Sequence, residues 1–226
     1  MPRYSSHVKR CLIKPDTRVK LKDFPTDASD SGIDKEKAKA KTAANLEELT
    51  ELQELFYADG RHALLVVLQA MDAGGKDSTI RRIFSSVNPQ GCRVTSFKVP
   101  TPIERAHDFL WRHHTEMPAK SMIRVHNRSH YESVLVERVK DIVPKSVWKK
   151  RYEQIVQMES MLAAEGTTIV KIFLHLSKQE QKERLLDRQQ RPDKHWKFNP
   201  GDLEERQHWD AYQEAFEDAL SKTSTA

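Results

Sequence analysis

The sequence lacks a membrane span, a secretory signal and any cysteine or histidine spacing typical of a metal site. No run approaches the roughly 18 apolar residues that a membrane span requires, and the first residues, MPRYSSHVKR, lack the apolar core of a secretory signal. Its two cysteines, Cys11 and Cys92, have no metal-binding or redox spacing. Its ten histidines form no HExxH-like or paired metal pattern, which favours structural or surface roles for them. We therefore expect a cytoplasmic protein with reduced thiols and no membrane contact.

A dense basic stripe is also missing. Lys plus Arg number 38 against 33 acidic residues, which gives a net charge of +5. A nucleic-acid-binding protein more often interleaves aromatic residues with a basic stripe, so we expect no nucleic-acid partner. A polyanionic substrate stays open, and the case for one depends on where the cations lie rather than on their total.

Glycine is scarce as well, and two of the seven glycines stand side by side. Residues 64–84 read LLVVLQAMDAGGKDSTIRRIF: an apolar strand, a turn with Gly74 and Gly75, then Lys76 and a helix. Glycines let backbone N–H groups approach phosphate oxygens, the helix directs its positive end at them, and the lysine adds a mobile charge. The segment therefore predicts a phosphate-binding loop formed by Gly74, Gly75, Lys76, Asp77 and Ser78.

The match to the P-loop pattern G-x-x-x-x-G-K-[ST] is incomplete. Ala70 stands in place of the first glycine and Asp77 in place of the Ser or Thr, whereas Gly75 and Lys76 are present. The alternative is a short loop followed by an ordinary helix start. A buried strand that leads into GGKDST favours phosphate binding over that alternative, so we predict a site that handles phosphoryl groups.

Runs with strand character alternate with helical patterns along the rest of the chain. Strands are predicted at 63–68, 93–98, 122–126 and 168–176. Helices are predicted at 35–58, 104–114, 132–139, 147–165, 179–187 and 203–220, besides the one after the phosphate loop. This alternation predicts an α/β fold, a doubly wound parallel sheet flanked by helices, with ligands at the carboxyl ends of the strands. We expect a single globular domain in which residues 1–58 form an N-terminal arm and helix and residues 59–226 form the core.

Asp72 lies inside the predicted phosphate turn, where a carboxylate would repel a phosphate ligand. We favour a role as a Mg²⁺ ligand, because a bound cation would remove that repulsion. The alternative is a turn residue that caps the helix. Asp77, at the start of the helix, is compatible with two roles, as a complement to the helix dipole or as a water-mediated metal contact.

A polar segment, NRSHYE at 127–132, follows the third predicted strand. Asn127 is suited to hold a metal or a water molecule, and the planar guanidinium of Arg128 suits phosphate oxygens. The alternative is a polar turn, with Ser129 as the cap of the next helix. Beside a phosphate loop we favour the functional interpretation, with Asn127 at the metal and Asn127 and Glu132 at the nucleotide.

Further cations lie along the later part of the chain. Lys98 leaves the second strand and Arg112 follows it, so both are candidates for the nucleotide side of the site, whereas Phe97 is assigned to the core. The segment ERLLDRQQRPDKHWKF contains the cations Arg184, Arg188, Arg191, Lys194 and Lys197. A cationic helix that runs into a proline-broken stretch favours a lid at about 184–200 that closes over phosphates. A solvated helix face is the commoner meaning of spaced arginines.

The chain resembles the polyphosphate kinase type-2 family from about residue 59 to residue 224. The resemblance rests on LQAMDAGGKD, VNPQG with RVTSFKVPT, HDFLWRHH with MPAK, NRSHYE, EGTTIVKIFLHLSK with EQ and ERL, and PDKHWKFNPGDL. A phosphate loop alone would not select this family, but its occurrence together with the later segments does.

The resemblance implies a P-loop kinase-like fold with a helical lid. It implies Mg²⁺-dependent transfer of a phosphoryl group between inorganic polyphosphate and a nucleoside mono- or diphosphate such as AMP, ADP or GDP. By motif, Asp72 would hold the metal, while Lys76 and Arg128 would act on the phosphates. Arg184, Arg188 and Lys194 would bind phosphates from the lid region. It also implies a homo-oligomer, either a dimer or a tetramer.

The sequence departs from the expected family pattern at several positions. Ser78 and Ser121 replace glycines, and both Ser133 and Arg191 replace acidic residues. Relatives are expected to continue past Ala226 through a Trp- and Tyr-rich strand and a closing helix. Two other functions stay open: an ATP-dependent nucleotide kinase, which would ignore polyphosphate, and a non-catalytic polyanion-binding module, which would bind without turnover.

Overall fold

The structure, a computed structural model, describes residues 6–29, 32–193 and 201–225. Its strands are β1 (Ala63–Ala70), β2 (Cys92–Ser96), β3 (Ile123–Asn127) and β4 (Thr167–Leu174). Its α-helices are α1 (Ser6–Cys11), α2 (Lys35–Asp59), α3 (Lys76–Phe84), α4 (Pro102–Ala106), α5 (Trp111–His114), α6 (Val136–Val139), α7 (Lys145–Ala164), α8 (Lys178–Gln190), α9 (Gly201–Glu205) and α10 (Trp209–Thr223). Short 3-10 helices cover Leu21–Asp23, His130–Ser133 and Arg206–His208. Within the described ranges, no helix is both long and apolar enough to cross a membrane.

The four strands form one parallel sheet in the order β2-β3-β1-β4. In the register of the sheet, Leu68 of β1 lies opposite Asn127 of β3 on one side and Ile172 of β4 on the other. Ser96 of β2 lies opposite the same Asn127. Because the strands are parallel, their carboxyl ends meet at one edge, where ligands bind in such folds. The predicted α/β fold with a parallel, helix-flanked sheet is confirmed.

The centre of the sheet is apolar because β1 and β3 are buried strands that carry branched aliphatic side chains. Val66 and Leu68 of β1 pack with Ile123 and Val125 of β3 and with Ile80 of α3. Each such buried side chain stabilises the fold by roughly 1.5–3 kcal/mol relative to exposure. This packing fixes α3 against the sheet and so fixes the turn that joins β1 to α3.

Contacts divide the chain into two compact units. One comprises residues 34–132 and 157–175 and contains the sheet with α2 to α5. The other comprises residues 1–33, 133–156 and 176–226 and contains α1, α6 and α8 to α10. Helix α7 contributes residues to both, since the boundary at residue 156 falls inside it.

Within the second unit, α10 binds both the N-terminal segment and α6. The backbone N–H of Leu21 donates to the Glu217 carboxylate at 2.9 Å. Arg138 of α6 lies 2.6 Å from the Asp218 carboxylate. Because one helix supplies both carboxylates, it joins segments that are far apart in the sequence.

The prediction of one continuous helix at 104–114 is wrong, because the structure has two short helices, α4 and α5, in its place. His107 has an extended backbone, with φ −102° and ψ 175°, and therefore ends α4. The Asp108 side chain then accepts the N–H of Leu110 at 2.9 Å, which starts a new turn.

Two further predicted helices are also interrupted. The segment 132–139 is a 3-10 helix followed by α6, and Leu135 between them lies outside the helical region, with φ −105° and ψ −82°. The segment 203–220 is α9, a 3-10 helix and α10 in succession. The remaining predicted strands and helices are confirmed, with small differences at their ends.

Candidate active site

The segment between β1 and α3 makes a tight turn at the carboxyl end of the central strands. Gly75 precedes the helix with φ 93° and Ala73 has φ 58°, both in the left-handed region. A side chain at Gly74 would place its Cβ 2.5 Å from the Cβ of Ala70 and 2.7 Å from the carbonyl oxygen of Met71. Gly74 is thus required by close backbone approach and Gly75 by its conformation. The turn presents the N-terminus of α3 at the sheet edge, which is the geometry predicted for phosphate binding.

Lys76 is the first residue of α3 and is only 9% exposed. Its ammonium donates to the carbonyl oxygens of Ala70, at 2.8 Å, and Met71, at 3.3 Å. Burial, and after it the nearby Arg128 cation, lowers the pKa of Lys76 to about 8, against neighbouring carboxylates that raise it. A charged group held under these conditions is costly to the fold, and such groups cluster at functional sites.

Asp72 and Arg128 form an ion pair in the same neighbourhood. Nη2 of Arg128 lies 2.7 Å from Oδ1 of Asp72, and its Nη1 lies 3.6 Å from Oε2 of Glu132. Burial raises the pKa of the Glu132 carboxyl, against the Arg128 and Lys76 cations, which lower it. The structure therefore brings the three predicted catalytic residues, Asp72, Lys76 and Arg128, into one cluster of mixed charge. Their catalytic roles stay predictions.

Asn127, the last residue of β3, joins this cluster from the sheet edge. Its Nδ2 donates to Oδ1 of Asp77 at 2.8 Å. Asp77 and Ser78 lie in the first turn of α3, and both are exposed. Site residues predicted from the phosphate turn and from the end of β3 thus meet at one place.

Sequence reasoning missed a buried polar layer beneath these groups. Gln69 of β1 directs its amide nitrogen to Oε1 of Glu132, at 3.0 Å, and its oxygen to Oγ of Ser129, at 2.9 Å. Ser129 is fully buried, and its Oγ also accepts the N–H of Tyr131 at 3.2 Å. A glutamine inside the apolar strand LLVVLQA was the available signal, because a buried amide requires partners.

Lys98 and Arg112 lie beyond the carboxyl end of β2. Arg112 donates to the carbonyl oxygen of Lys98 at 3.0 Å and lies 3.3 Å from the Glu104 carboxylate. Its guanidinium also lies 5.2 Å from the centre of the Phe97 ring. Phe97 is buried, which confirms that it belongs to the core. Arg112 thus packs against the core, and the nucleotide-binding role of both cations stays a prediction.

The cations predicted for the lid belong to the other unit. Arg184 and Arg188 lie on α8, where Arg184 lies 2.7 Å from Glu180 and Arg188 lies 3.4 Å from Asp202. Lys194, predicted with them, lies outside the described residues. Arg184 and Arg188 thus each contact a carboxylate in this structure, and their role in a lid stays a prediction.

The oxygen donors at the sheet edge suit Mg²⁺. In phosphate sites this ion is usually bound by one or two carboxylates together with waters and substrate phosphates. The Asp72 carboxylate and the Asn127 amide oxygen are donors of this kind. Across the residues that the structure describes, no group of three or more His, Cys, Asp or Glu side chains could hold a metal alone. A Mg²⁺ ion held by these two donors would complete its coordination with waters and substrate oxygens.

Known proteins are similar to this sequence over most of its length. The family model for Polyphosphate kinase 2 (PPK2) matches residues 32–226. An AMP/ADP-polyphosphate phosphotransferase of Meiothermus ruber is 55% identical over 219 residues, which cover 96% of this chain and 82% of the relative. An ADP-polyphosphate phosphotransferase of Rhodopseudomonas palustris is 48% identical over 220 residues, which cover 92% of this chain and 76% of the relative.

A solved structure shares the architecture as well. The crystal structure of Polyphosphate Kinase 2 from Arthrobacter aurescens TC1 matches with a TM-score of 0.83 at 39% identity, covering 95% of this chain and 82% of that one. This similarity confirms the resemblance inferred from the motifs and the P-loop kinase-like fold that it implies. The chain belongs to the polyphosphate kinase 2 family.

Proposed function

We propose that the protein transfers a phosphoryl group between inorganic polyphosphate and a nucleoside mono- or diphosphate. The observation that carries the proposal is the meeting of Lys76, Asp72 and Arg128 at the turn before α3. Family membership supports the reaction class, because relatives are named for polyphosphate transfer with AMP and ADP, and a 33% identical one from Mycolicibacterium smegmatis with GDP.

The turn and Lys76 would bind the transferred phosphate. The first N–H groups of α3 open at the sheet edge, where they can donate to phosphate oxygens. Lys76 now donates to two carbonyl oxygens of its own turn. A phosphate oxygen offers its ammonium a stronger, charge-assisted hydrogen bond, so the side chain would exchange these partners when substrate binds.

Arg128 would stabilise charge on the transferred group. Its guanidinium is at present shared between Asp72 and Glu132. A planar guanidinium can bind two phosphate oxygens at once, and charge stabilisation is the main catalytic requirement of phosphoryl transfer. The attacking oxygen belongs to the acceptor phosphate itself, so the reaction requires no serine or cysteine nucleophile.

We also propose that Asp72 and Asn127 hold Mg²⁺ together with the phosphate chain. When bound, the ion would neutralise charge on the phosphate oxygens. The Asp72 carboxylate would be the charged protein ligand of the ion, and Arg128, which lies beside it, would contact the phosphate. One ion pair would in this way supply both the metal donor and the phosphate-binding guanidinium.

The direct test is to incubate the purified protein with Mg²⁺ and long-chain polyphosphate, separately with AMP, ADP, GMP and GDP. Products are separated by chromatography, and a parallel set uses ATP as the donor. Lys76→Met is the variant expected to lose activity, and Lys120→Met, at an exposed lysine of the same unit, is the matched control.

Each outcome distinguishes the candidate functions. Polyphosphate-dependent product that Lys76→Met loses and Lys120→Met retains would support the proposal and identify the acceptor. Transfer from ATP without transfer from polyphosphate would replace it with an ordinary nucleotide kinase. Salt-sensitive polyphosphate binding without turnover would indicate a binding module. Full activity in the presence of a chelator would contradict the Mg²⁺ part alone.

A further inference from the structure

A buried charged network lies behind the segment that carries Arg128. Glu159 of α7 is only 3% exposed. Its Oε1 accepts the hydroxyl of Tyr131 at 3.0 Å and lies 3.2 Å from Nε2 of His130. Its Oε2 lies 2.6 Å from the ammonium of Lys171 on β4. One carboxylate therefore holds two consecutive rings of the 3-10 helix after β3.

The carboxylate of Glu159 is ionised in this setting. Burial raises the pKa of Glu159, but the hydrogen bond from His130 and the Lys171 cation together outweigh it, and the pKa lies below its ordinary value. A buried ion pair adds little net stability compared with apolar side chains of the same volume. Stability alone therefore gives no reason for a carboxylate at this position.

Glu159 contacts His130 and Tyr131, which follow Arg128 by two and three residues. Arg128 has φ 63°, a left-handed backbone that a residue with a side chain adopts only when its surroundings enforce it. On its N-terminal side the Arg128 N–H donates to the carbonyl oxygen of Leu68, at 3.2 Å, so the sheet holds it there. On its C-terminal side the buried rings of His130 and Tyr131 are held by Glu159. The backbone of Arg128 is thus fixed on one side by the hydrogen bond to Leu68 and on the other by the contacts of Glu159 with His130 and Tyr131.

We propose that Glu159 is a positioning residue for phosphoryl transfer, which sets the backbone of Arg128 through His130 and Tyr131 and so directs the guanidinium to the phosphate. This inference rests on the proposed function of Arg128. Glu159 lies behind the site and has no part in the reaction itself. It places the Arg128 guanidinium, whose charge would stabilise the transition state more than the bound substrate.

The first measurement compares the kinetics of three variants. Glu159→Gln keeps the shape and removes the charge, and Tyr131→Phe removes one hydroxyl and keeps the ring. Glu153→Gln makes the same change at an exposed position of the same helix. We expect Glu159→Gln to lower kcat by roughly 10- to 100-fold with little change in either KM, because misplacement of a catalytic group by about 1 Å costs about that much. Tyr131→Phe should show a smaller loss, and Glu153→Gln none.

A double-mutant cycle with Arg128→Ala separates positioning from general damage. If Glu159 acts through Arg128, Glu159→Gln should cause no further loss of kcat once the guanidinium is gone. If it merely weakens the fold, the same fold-loss should appear in both backgrounds. Equal losses in the two backgrounds would overturn the proposal.

The Nε–H resonance of Arg128, assigned by its absence in Arg128→Ala, gives a readout that needs no activity. We expect it to shift or broaden in Glu159→Gln and, to a smaller extent, in Tyr131→Phe, which should stay folded because it keeps the buried ring and loses one hydrogen bond. If Glu159→Gln does not fold, the Arg128 resonance in Tyr131→Phe tests the proposal instead. If the wild-type protein shows no transfer from polyphosphate, the proposed function is refuted. The Arg128 resonance would still show whether Glu159 sets the position of Arg128. An Arg128 signal unchanged in both folded variants would overturn the inference.

Discussion

At the residue scale, Lys76 is held where its charge is unfavourable. Its pKa falls from an ordinary value near 10.5 to about 8, mainly because the side chain is buried. Between these two values the unfolded chain binds more protons than the folded one, so stability rises with pH across this window. Below pH 8 the buried ammonium therefore lowers the free energy of unfolding, and above 10.5 this cost is gone.

We predict that Lys76→Met loses phosphoryl transfer and yet unfolds less readily at neutral pH. The gain in the free energy of unfolding should reach up to about 3 kcal/mol near pH 7 and should shrink as the pH rises from about 8 to about 10.5. Urea denaturation at several pH values measures it, with Lys120→Met as the exposed control. A variant less stable than the wild type at neutral pH would show that the two hydrogen bonds of the ammonium outweigh its burial.

Asp72 should control the requirement for Mg²⁺. We predict that Asp72→Asn raises the Mg²⁺ concentration for half-maximal rate and lowers kcat, because an amide is a weaker ligand than a carboxylate. The free energy of unfolding should change by no more than about 1 kcal/mol, since the ion pair with Arg128 is partly exposed. Asp59→Asn breaks an exposed pair with Arg61 and serves as the control. An unchanged Mg²⁺ dependence in Asp72→Asn would place the metal elsewhere.

At the scale of elements, the turn between β1 and α3 depends on the absence of a side chain at Gly74. In Gly74→Ala the new Cβ would lie 2.5 Å from the Cβ of Ala70 and 2.7 Å from the carbonyl oxygen of Met71, so the turn must shift. We predict a loss of roughly 1–3 kcal/mol in the free energy of unfolding and a higher KM for polyphosphate. Denaturation and initial rates measure the two effects. Adding Ala70→Gly removes one of the contacts and should restore part of both, and no recovery would exclude this clash as the cause.

The elements predicted correctly are those in which one periodicity runs without interruption, such as β1, α2 and α7. The predictions were wrong where a local or tertiary contact stops a helix that the pattern would continue. Asp108 caps a new turn and so divides the helix predicted at 104–114. At 132–139, the preceding rings of His130 and Tyr131 are buried against Glu159, and a 3-10 helix forms there. Helical spacing contains no information about such contacts.

The site could be predicted from the sequence only in part, for a related reason. Asp72, Lys76 and Arg128 stand inside segments whose chemistry is local, so their types and order point to phosphate. Gln69 contacts Ser129, which lies 60 residues away in the sequence, and Glu159 contacts His130, which lies 29 residues away. Their roles exist only once the sheet and α7 bring those segments together.

At the scale of the whole molecule, two of the buried histidines, His113 and His126, link stability to pH. His113 is 5% exposed and His126 is fully buried. Burial is the main cause that lowers the pKa of His113 to about 2 and that of His126 to about 4, and at His126 it outweighs the hydrogen bond with the Glu116 backbone, which raises the pKa. Unfolding raises both pKa values to about 6.5, so the unfolded chain takes up protons that the folded chain refuses. The stability present above pH 6.5 is therefore lost as the pH falls below it.

We predict that each of these histidines steepens the fall in the free energy of unfolding by up to about 1.4 kcal/mol per pH unit between about pH 6 and pH 5. His113→Leu removes one titrating group at nearly constant volume and should flatten the fall by that amount. His114→Gln, at the neighbouring exposed position, should leave the slope unchanged. Urea denaturation at closely spaced pH values measures all three slopes. If His113→Leu keeps the wild-type slope, His113 accepts a proton in the folded protein, and another group causes the loss of stability in acid.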